Sequence, residues 1–191
     1  MSRIEPKPFS HYPFFVRWVL GRQVRKYGRM LAPSLLWGRL PGPFLAVLVA
    51  LGAFQSRRFP VDKALRSLVS VRIAQLNGCG FCVDLNSYNF LSAAGSAGKA
   101  VEVARWRDTR LYSERERAAL EYAEAVTERC AGIDDGRIAS LRKHFDENEI
   151  TALTAWIAFQ NMSAKFNAAL GAEEHGFCRL PGTDRPDSDP V

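Results

Sequence analysis

The chain has 191 residues, 47% hydrophobic and 24% charged, enough for one domain with a sizeable core and against disorder except at the ends. The opening MSRIEPKPFS lacks the apolar run of a secretory signal, and the longest apolar run, FLAVLVALGAF, is 11 residues and too short to span a bilayer. Four cysteines do not suggest a disulfide-stapled secreted scaffold, so a soluble cytoplasmic protein of a reducing compartment is expected.

The net charge of +6 is unevenly spread: residues 1–66 hold 12 Lys and Arg against 2 Asp and Glu, and residues 67–191 hold 14 against 18. Residues 1–40 read as a basic amphipathic arm. In HYPFFVRWVLGRQVRKYGRML, Arg17, Arg22, Arg25, Lys26 and Arg29 alternate with Phe14, Phe15, Trp18, Val19, Leu20, Tyr27 and Leu31. The plainest role for such an arm is packing on a neighbouring subunit. Peripheral contact with an anionic membrane comes second. Nucleic acid is set aside, because no reader motif accompanies the charge.

Residues 41–171 carry helical punctuation and few strand signals, so the fold class is all-α. Pro41-Gly42-Pro43 opens an apolar helix to about Phe54, and SRRFPVD is a polar connection. A helix over about 63–76 has Leu65, Leu68, Val69, Ile73 and Leu76 on one stripe. Asn77-Gly78 breaks it, and the next helix spans about Cys79 to Ala93. Ser113 with Glu116 forms a capping box that opens a helix to about Cys130, with Ala119, Tyr122, Ala123 and Val126 inward. A short helix over 137–144 follows. A second capping box, Asp146 with Glu149, starts the long last helix, stopped by Gly171. Residues 172–191 read as a flexible tail.

The segment QLNGCGFCVDLN places Cys79 and Cys82 at the first turn of a helix, where residues three apart share a face. The free N–H groups and positive dipole end there favour a thiolate, most strongly at Cys79, which is expected to be the exposed thiol. Gly78 and Gly80 are expected to leave room for a substrate.

SLVSVRIAQLNGCGFCVDLN, with RWRDTRLYSERERAALEYAEAVTE and the last helix, resembles the carboxymuconolactone decarboxylase and alkylhydroperoxidase D (AhpD)-like family over roughly Phe44 to Leu170. The resemblance implies an AhpD-like helical bundle that assembles into dimers, trimers or hexamers. It also implies a peroxidase-related oxidoreductase whose dithiol reduces small hydroperoxides or exchanges disulfides with an external thiol reductant, with no metal or organic cofactor. The family's redox members use a glutamate twelve residues before the first cysteine and a histidine four after the second as a proton relay. Here Ser67 and Asn86 hold those positions. Neither titrates near neutrality, though both can position water or substrate. Losing general acid–base assistance costs about 10²–10⁴-fold in rate, which weakens peroxidase chemistry more than disulfide exchange. Arg72 would favour a thiolate if it faced the site, whereas Asp84 points away from Cys82 on the helix.

The resulting expectation is a thiol–disulfide oxidoreductase, and a weak alkyl hydroperoxidase, with Cys79, Cys82, Asn86 and Ser67 as its site. The alternatives are a non-catalytic or redox-sensing oligomer, and a zinc-stabilised protein using Cys79, Cys82, His175 and Cys178. Haem attachment is excluded, since Val83 follows Cys82. His175 and Cys178 are also candidates to fold over a neighbour's site. Cys130 reads as a buried small hydrophobe, His144 as a surface residue at a helix end, and Trp156 and Phe159 as core or subunit contacts.

Overall fold

The computed structural model describes residues 2–94 and 96–178, and among these every regular element is helical. The α-helices are α1 (Phe14–Tyr27), α2 (Ala32–Trp37), α3 (Pro41–Phe54), α4 (Lys63–Leu76), α5 (Gly80–Ala94), α6 (Ala97–Glu102), α7 (Glu114–Arg129), α8 (Asp135–Leu141) and α9 (Glu147–Ala169). None of them is long and apolar enough to cross a membrane.

The helix starts follow from local chemistry. Asp62 caps α4 by accepting the Leu65 N–H, and both expected capping boxes are formed, Ser113 with Glu116 and Asp146 with Glu149. Pro41 begins α3, because the first turn of a helix uses no N–H there. Asp134 caps α8 by accepting the Arg137 N–H, which starts that helix two residues earlier than expected.

α4 is the central element. Instead of one buried stripe it has Leu65, Leu68, Val69, Val71, Ile73 and Ala74 buried on several sides. Val69 and Ile73 meet Ala123 of α7 and Leu153 and Ile157 of α9, whereas Leu68 and Val71 meet Phe90 of α5, Trp106 and Leu120. Trp156 is buried and donates through Nε1 to Ser70 Oγ at 3.0 Å. Phe159 packs at the edge of the same core.

The basic arm folds onto this bundle. Val16 and Leu20 of α1 pack with Phe44 of α3, and Trp37 stacks on Phe166 of α9 with ring centroids 3.9 Å apart. Arg3 donates its backbone N–H to the Leu170 carbonyl at 2.9 Å, closing the C-terminal end of α9. Cys130 corrects its expectation: it is exposed, because α7 ends at Arg129 and a 3-10 turn carries the sulfur away from the apolar stripe.

Candidate functional site

The dithiol is positioned by the way α4 ends. Gly78 takes φ +64°, its N–H donates to the Gln75 carbonyl at 3.1 Å, and the Cys79 N–H donates to the Ala74 carbonyl at 2.9 Å. That pair of bonds is a Schellman termination, which needs a residue tolerant of positive φ at its turn. Asn77 secures it, donating its side-chain amide to the Ile73 carbonyl and to Asn161 Oδ1 of α9, each at 2.9 Å.

The chain therefore re-enters a helix at once, with Cys79 in the capping position. Its carbonyl accepts the Val83 N–H at 3.0 Å, and its Sγ accepts the Cys82 N–H at 3.2 Å. A sulfur here does what a serine or aspartate oxygen does at an ordinary helix start. Cys79 and Cys82 form a disulfide with their Cα atoms 5.2 Å apart.

Asn167 supplies the donor to the second sulfur. From the last turn of α9 its Nδ2–H donates to Cys82 Sγ at 3.3 Å, while its buried Oδ1 has no partner among the described residues. Sequence reasoning missed this residue. The available signal was register: Ile150, Leu153, Ile157 and Ala164 trace the buried stripe of α9, and Asn167 continues it. A second Schellman termination follows, in which Gly171 takes φ +65° and the Ala172 N–H donates to the Asn167 carbonyl at 2.9 Å.

That turn sends the chain back over the dithiol. Asp84 accepts the backbone N–H of His175 at 3.1 Å through Oδ2 and that of Cys178 at 2.7 Å through Oδ1. The imidazole of His175 stands edge-on to Phe81, with its Nε2 accepting the Ala32 N–H at 3.2 Å and its Nδ1 3.3 Å from the Arg29 guanidinium. Burial, and then the positive charge of Arg29, push the His175 pKa below its ordinary value, against the opposing pull of Asp84 and Glu173. Phe177 packs beside Tyr27 and Tyr88. Burial, with Asp84 adding to it, pushes the Cys178 thiol pKa up.

Residues 172–178 thus form a strap on the chain's own dithiol, and residues 179–191 of the expected tail lie outside the described residues. Cys79 is 2% exposed and Cys82 6%, so neither is the open thiol that the helix position suggested. The space beside Gly80 is likewise taken: a Cβ placed there would come within 2.9 Å of Glu174 Cγ.

The other sequence candidates fall in different places. Ser67 is buried on α4 and Asn86 half-buried on α5, and neither has a hydrogen bond to a sulfur among the described residues. Arg72 pairs with Glu124 of α7 at 2.5 Å rather than facing the cysteines. Burial alone would raise the Glu124 pKa, but hydrogen bonds from Trp106, Arg72 and Arg107 outweigh it and hold the carboxyl below its usual range. The four-ligand zinc set is not assembled. Cys79 and Cys82 are bonded to each other, and no group of three metal-ligating side chains occurs among the described residues.

The fold and site define an all-helical protein carrying a C-x-x-C disulfide at a helix start. Residues 44–125 match the carboxymuconolactone decarboxylase family. The chain is 42% identical over 174 residues to the protein YnjA of Escherichia coli (strain K12), covering 91% of this chain and 96% of that one. The chain belongs to the carboxymuconolactone decarboxylase family. Among solved structures, a peroxidase-related protein with an alkylhydroperoxidase AhpD core from Ralstonia eutropha JMP134 superimposes with a TM-score of 0.83 at 20% identity, over 91% of this chain and 92% of that one. A putative antioxidant defence protein AhpD from Agrobacterium tumefaciens gives 0.69 at 27% identity, over 73% and 95%.

Proposed function

We propose that the protein is an AhpD-like thiol–disulfide oxidoreductase in which Cys79 and Cys82 cycle between dithiol and disulfide. The observation that carries this reading is the pair of donors on the two sulfurs, the Cys82 N–H on Cys79 and the Asn167 amide on Cys82. Hydrogen bonds to a charged acceptor are stronger than those to a neutral one, so both donors favour thiolate over thiol once the bond is reduced.

In exchange, a thiolate of an external dithiol attacks one sulfur and the other leaves as thiolate. The second external thiol then closes the partner's disulfide and releases the reduced pair. With a hydroperoxide, one cysteine thiolate takes the terminal oxygen to become a sulfenic acid, and the alkoxide leaves and acquires a proton. The remaining thiol condenses with the sulfenic acid to restore the disulfide and release water. No titrating side chain stands where the family's relay would, so exchange is the favoured activity and peroxide reduction the slower one. Ser67 and Asn86 in this reading position water or substrate.

The test is equilibration of the Cys79–Cys82 pair in glutathione buffers, followed by turnover assays with a dithiol and either a protein disulfide or an alkyl hydroperoxide. A reversible couple with turnover, lost in Cys79→Ser and Cys82→Ser, supports the assignment. A pair that stays inert in both assays sinks it. The burial of both sulfurs under the strap favours one second reading, a redox sensor, for which the couple is reversible without turnover.

A further inference from the structure

Between Glu5 and Asp62 the chain has no acidic residue, yet it carries nine Lys and Arg. None of those nine forms an ion pair among the described residues. Elsewhere acidic residues are interspersed with the basic ones, and several cations are paired, as in Arg72 and Arg107 with Glu124, Lys99 with Glu116, and Arg115 with Glu149. The segment that builds α1, α2 and α3 is thus cationic with no acidic residue of its own.

The same part exposes apolar side chains. On α1, Val16 and Leu20 are fully buried against the Phe44 cluster, which turns Phe14 (76% exposed) and Trp18 (52%) outward. The Arg22 guanidinium lies 5.0 Å from the centroid of the Trp18 ring, and Arg25 and Lys26 are exposed on the next turn. α3 has no charged residue from Pro41 to Phe54, yet it turns Leu45 (52%) and Val49 (67%) outward. Arg39 precedes it, and the exposed Arg57 and Arg58 follow it.

Aromatic and aliphatic side chains rimmed by guanidinium groups, on helices that carry no carboxylate of their own, suit the boundary between acyl chains and anionic headgroups. Two copies meeting through this same face would bring two sets of unpaired cations together. A nucleic-acid backbone would satisfy the charge but leave the uncharged outer side of α3 against phosphate and water. We propose that the outer face of α1 and α3 is a docking surface for an anionic phospholipid bilayer, on which the protein lies without spanning it.

The experiment is flotation of the full-length protein with vesicles of phosphatidylcholine alone and of phosphatidylcholine with phosphatidylglycerol, at low and high salt. Three variants accompany it, Trp18→Ser, Val49→Asp and the pair Arg22→Glu with Arg25→Glu, each first shown by circular dichroism and thermal melting to be folded. The expected result is at least tenfold tighter binding to the anionic vesicles, weakened by salt and reduced about tenfold or more by each folded variant. Any one folded variant suffices for the comparison, because they probe the same face independently. Equal binding to both vesicle types, or no binding, overturns the proposal. So does a dimer in sedimentation velocity that Val49→Asp disperses while vesicle binding is unchanged, since the face would then serve a second copy. Tighter binding to random-sequence DNA than to anionic vesicles overturns it as well.

Discussion

Asn167, in the last turn of α9, donates its side-chain amide to Cys82 Sγ across 85 residues of sequence, at 3.3 Å. The contact ties the dithiol to the far end of the molecule's longest helix. It also places one non-titrating donor on the second sulfur of the pair.

Removing that donor has a definite consequence. A hydrogen bond to a charged group is worth about 1.5–3 kcal/mol, so Asn167→Ala lowers the thiolate fraction of Cys82 by roughly tenfold or more. Alkylation of the reduced protein against pH, read at Cys82 by mass spectrometry, measures it. Thermal stability changes little, because the substitution also removes a buried carbonyl oxygen that has no partner among the described residues. An unchanged alkylation profile would show that the donor is irrelevant to the thiol.

Asp84 holds the strap by accepting two backbone amides. Asp84→Ala leaves both without that acceptor, and reduction of the disulfide by dithiothreitol is expected to accelerate about tenfold, the opening corresponding to roughly one such bond net of rehydration. Asp84→Asn, which keeps one carbonyl oxygen, falls between. Identical reduction rates in all three proteins would mean that the strap does not limit access.

The pH dependence of that access follows from His175. Its pKa is lowered with the strap docked, where burial acts first, Arg29 reinforces it, and Asp84 and Glu173 oppose it. The released strap therefore binds a proton more readily than the docked one. His175 thus contributes fully to docking above its ordinary pKa of about 6.5, and the contribution is lost as pH falls through the lowered docked value. Reduction by a phosphine, which needs no thiolate, taken relative to that of a small-molecule disulfide so that protonation of the phosphine cancels, is expected to speed up below about pH 6.5 in the native protein. In His175→Gln that acceleration is expected to disappear.

Gly78 and Gly80 separate two kinds of glycine. Gly78 sits at φ +64°, so Gly78→Ala costs about 1–2 kcal/mol and lowers the urea midpoint. Gly80 lies within α5 at ordinary backbone angles, and a methyl group there displaces the end of the Glu174 side chain. Gly80→Ala is expected to leave the midpoint nearly unchanged and to raise the rate of disulfide reduction. Denaturant melts with parallel reduction kinetics separate the two effects.

Much of this was legible along the chain because it is made of local interactions. The expected helix over 63–76 is α4 to the residue, and both capping boxes and the Asn77-Gly78 break reach only three to five positions. The adjacency of Cys79 and Cys82 follows from the same helical geometry. The charge asymmetry of residues 1–66 needed no structure at all.

What the linear order could not supply was the closing of the site. The strap's bonds to Asp84 span 91 and 94 residues, Asn167 reaches Cys82 across 85, and the Ala32 N–H meets His175 across 143. Such contacts depend on how the ends of α4, α5 and α9 converge, and that is decided by core packing rather than by periodicity or capping. Local sequence determined a dithiol at a helix start. Only the tertiary structure decided that both sulfurs are covered, because burial is a property of everything that packs around a residue and not of its neighbours in the chain.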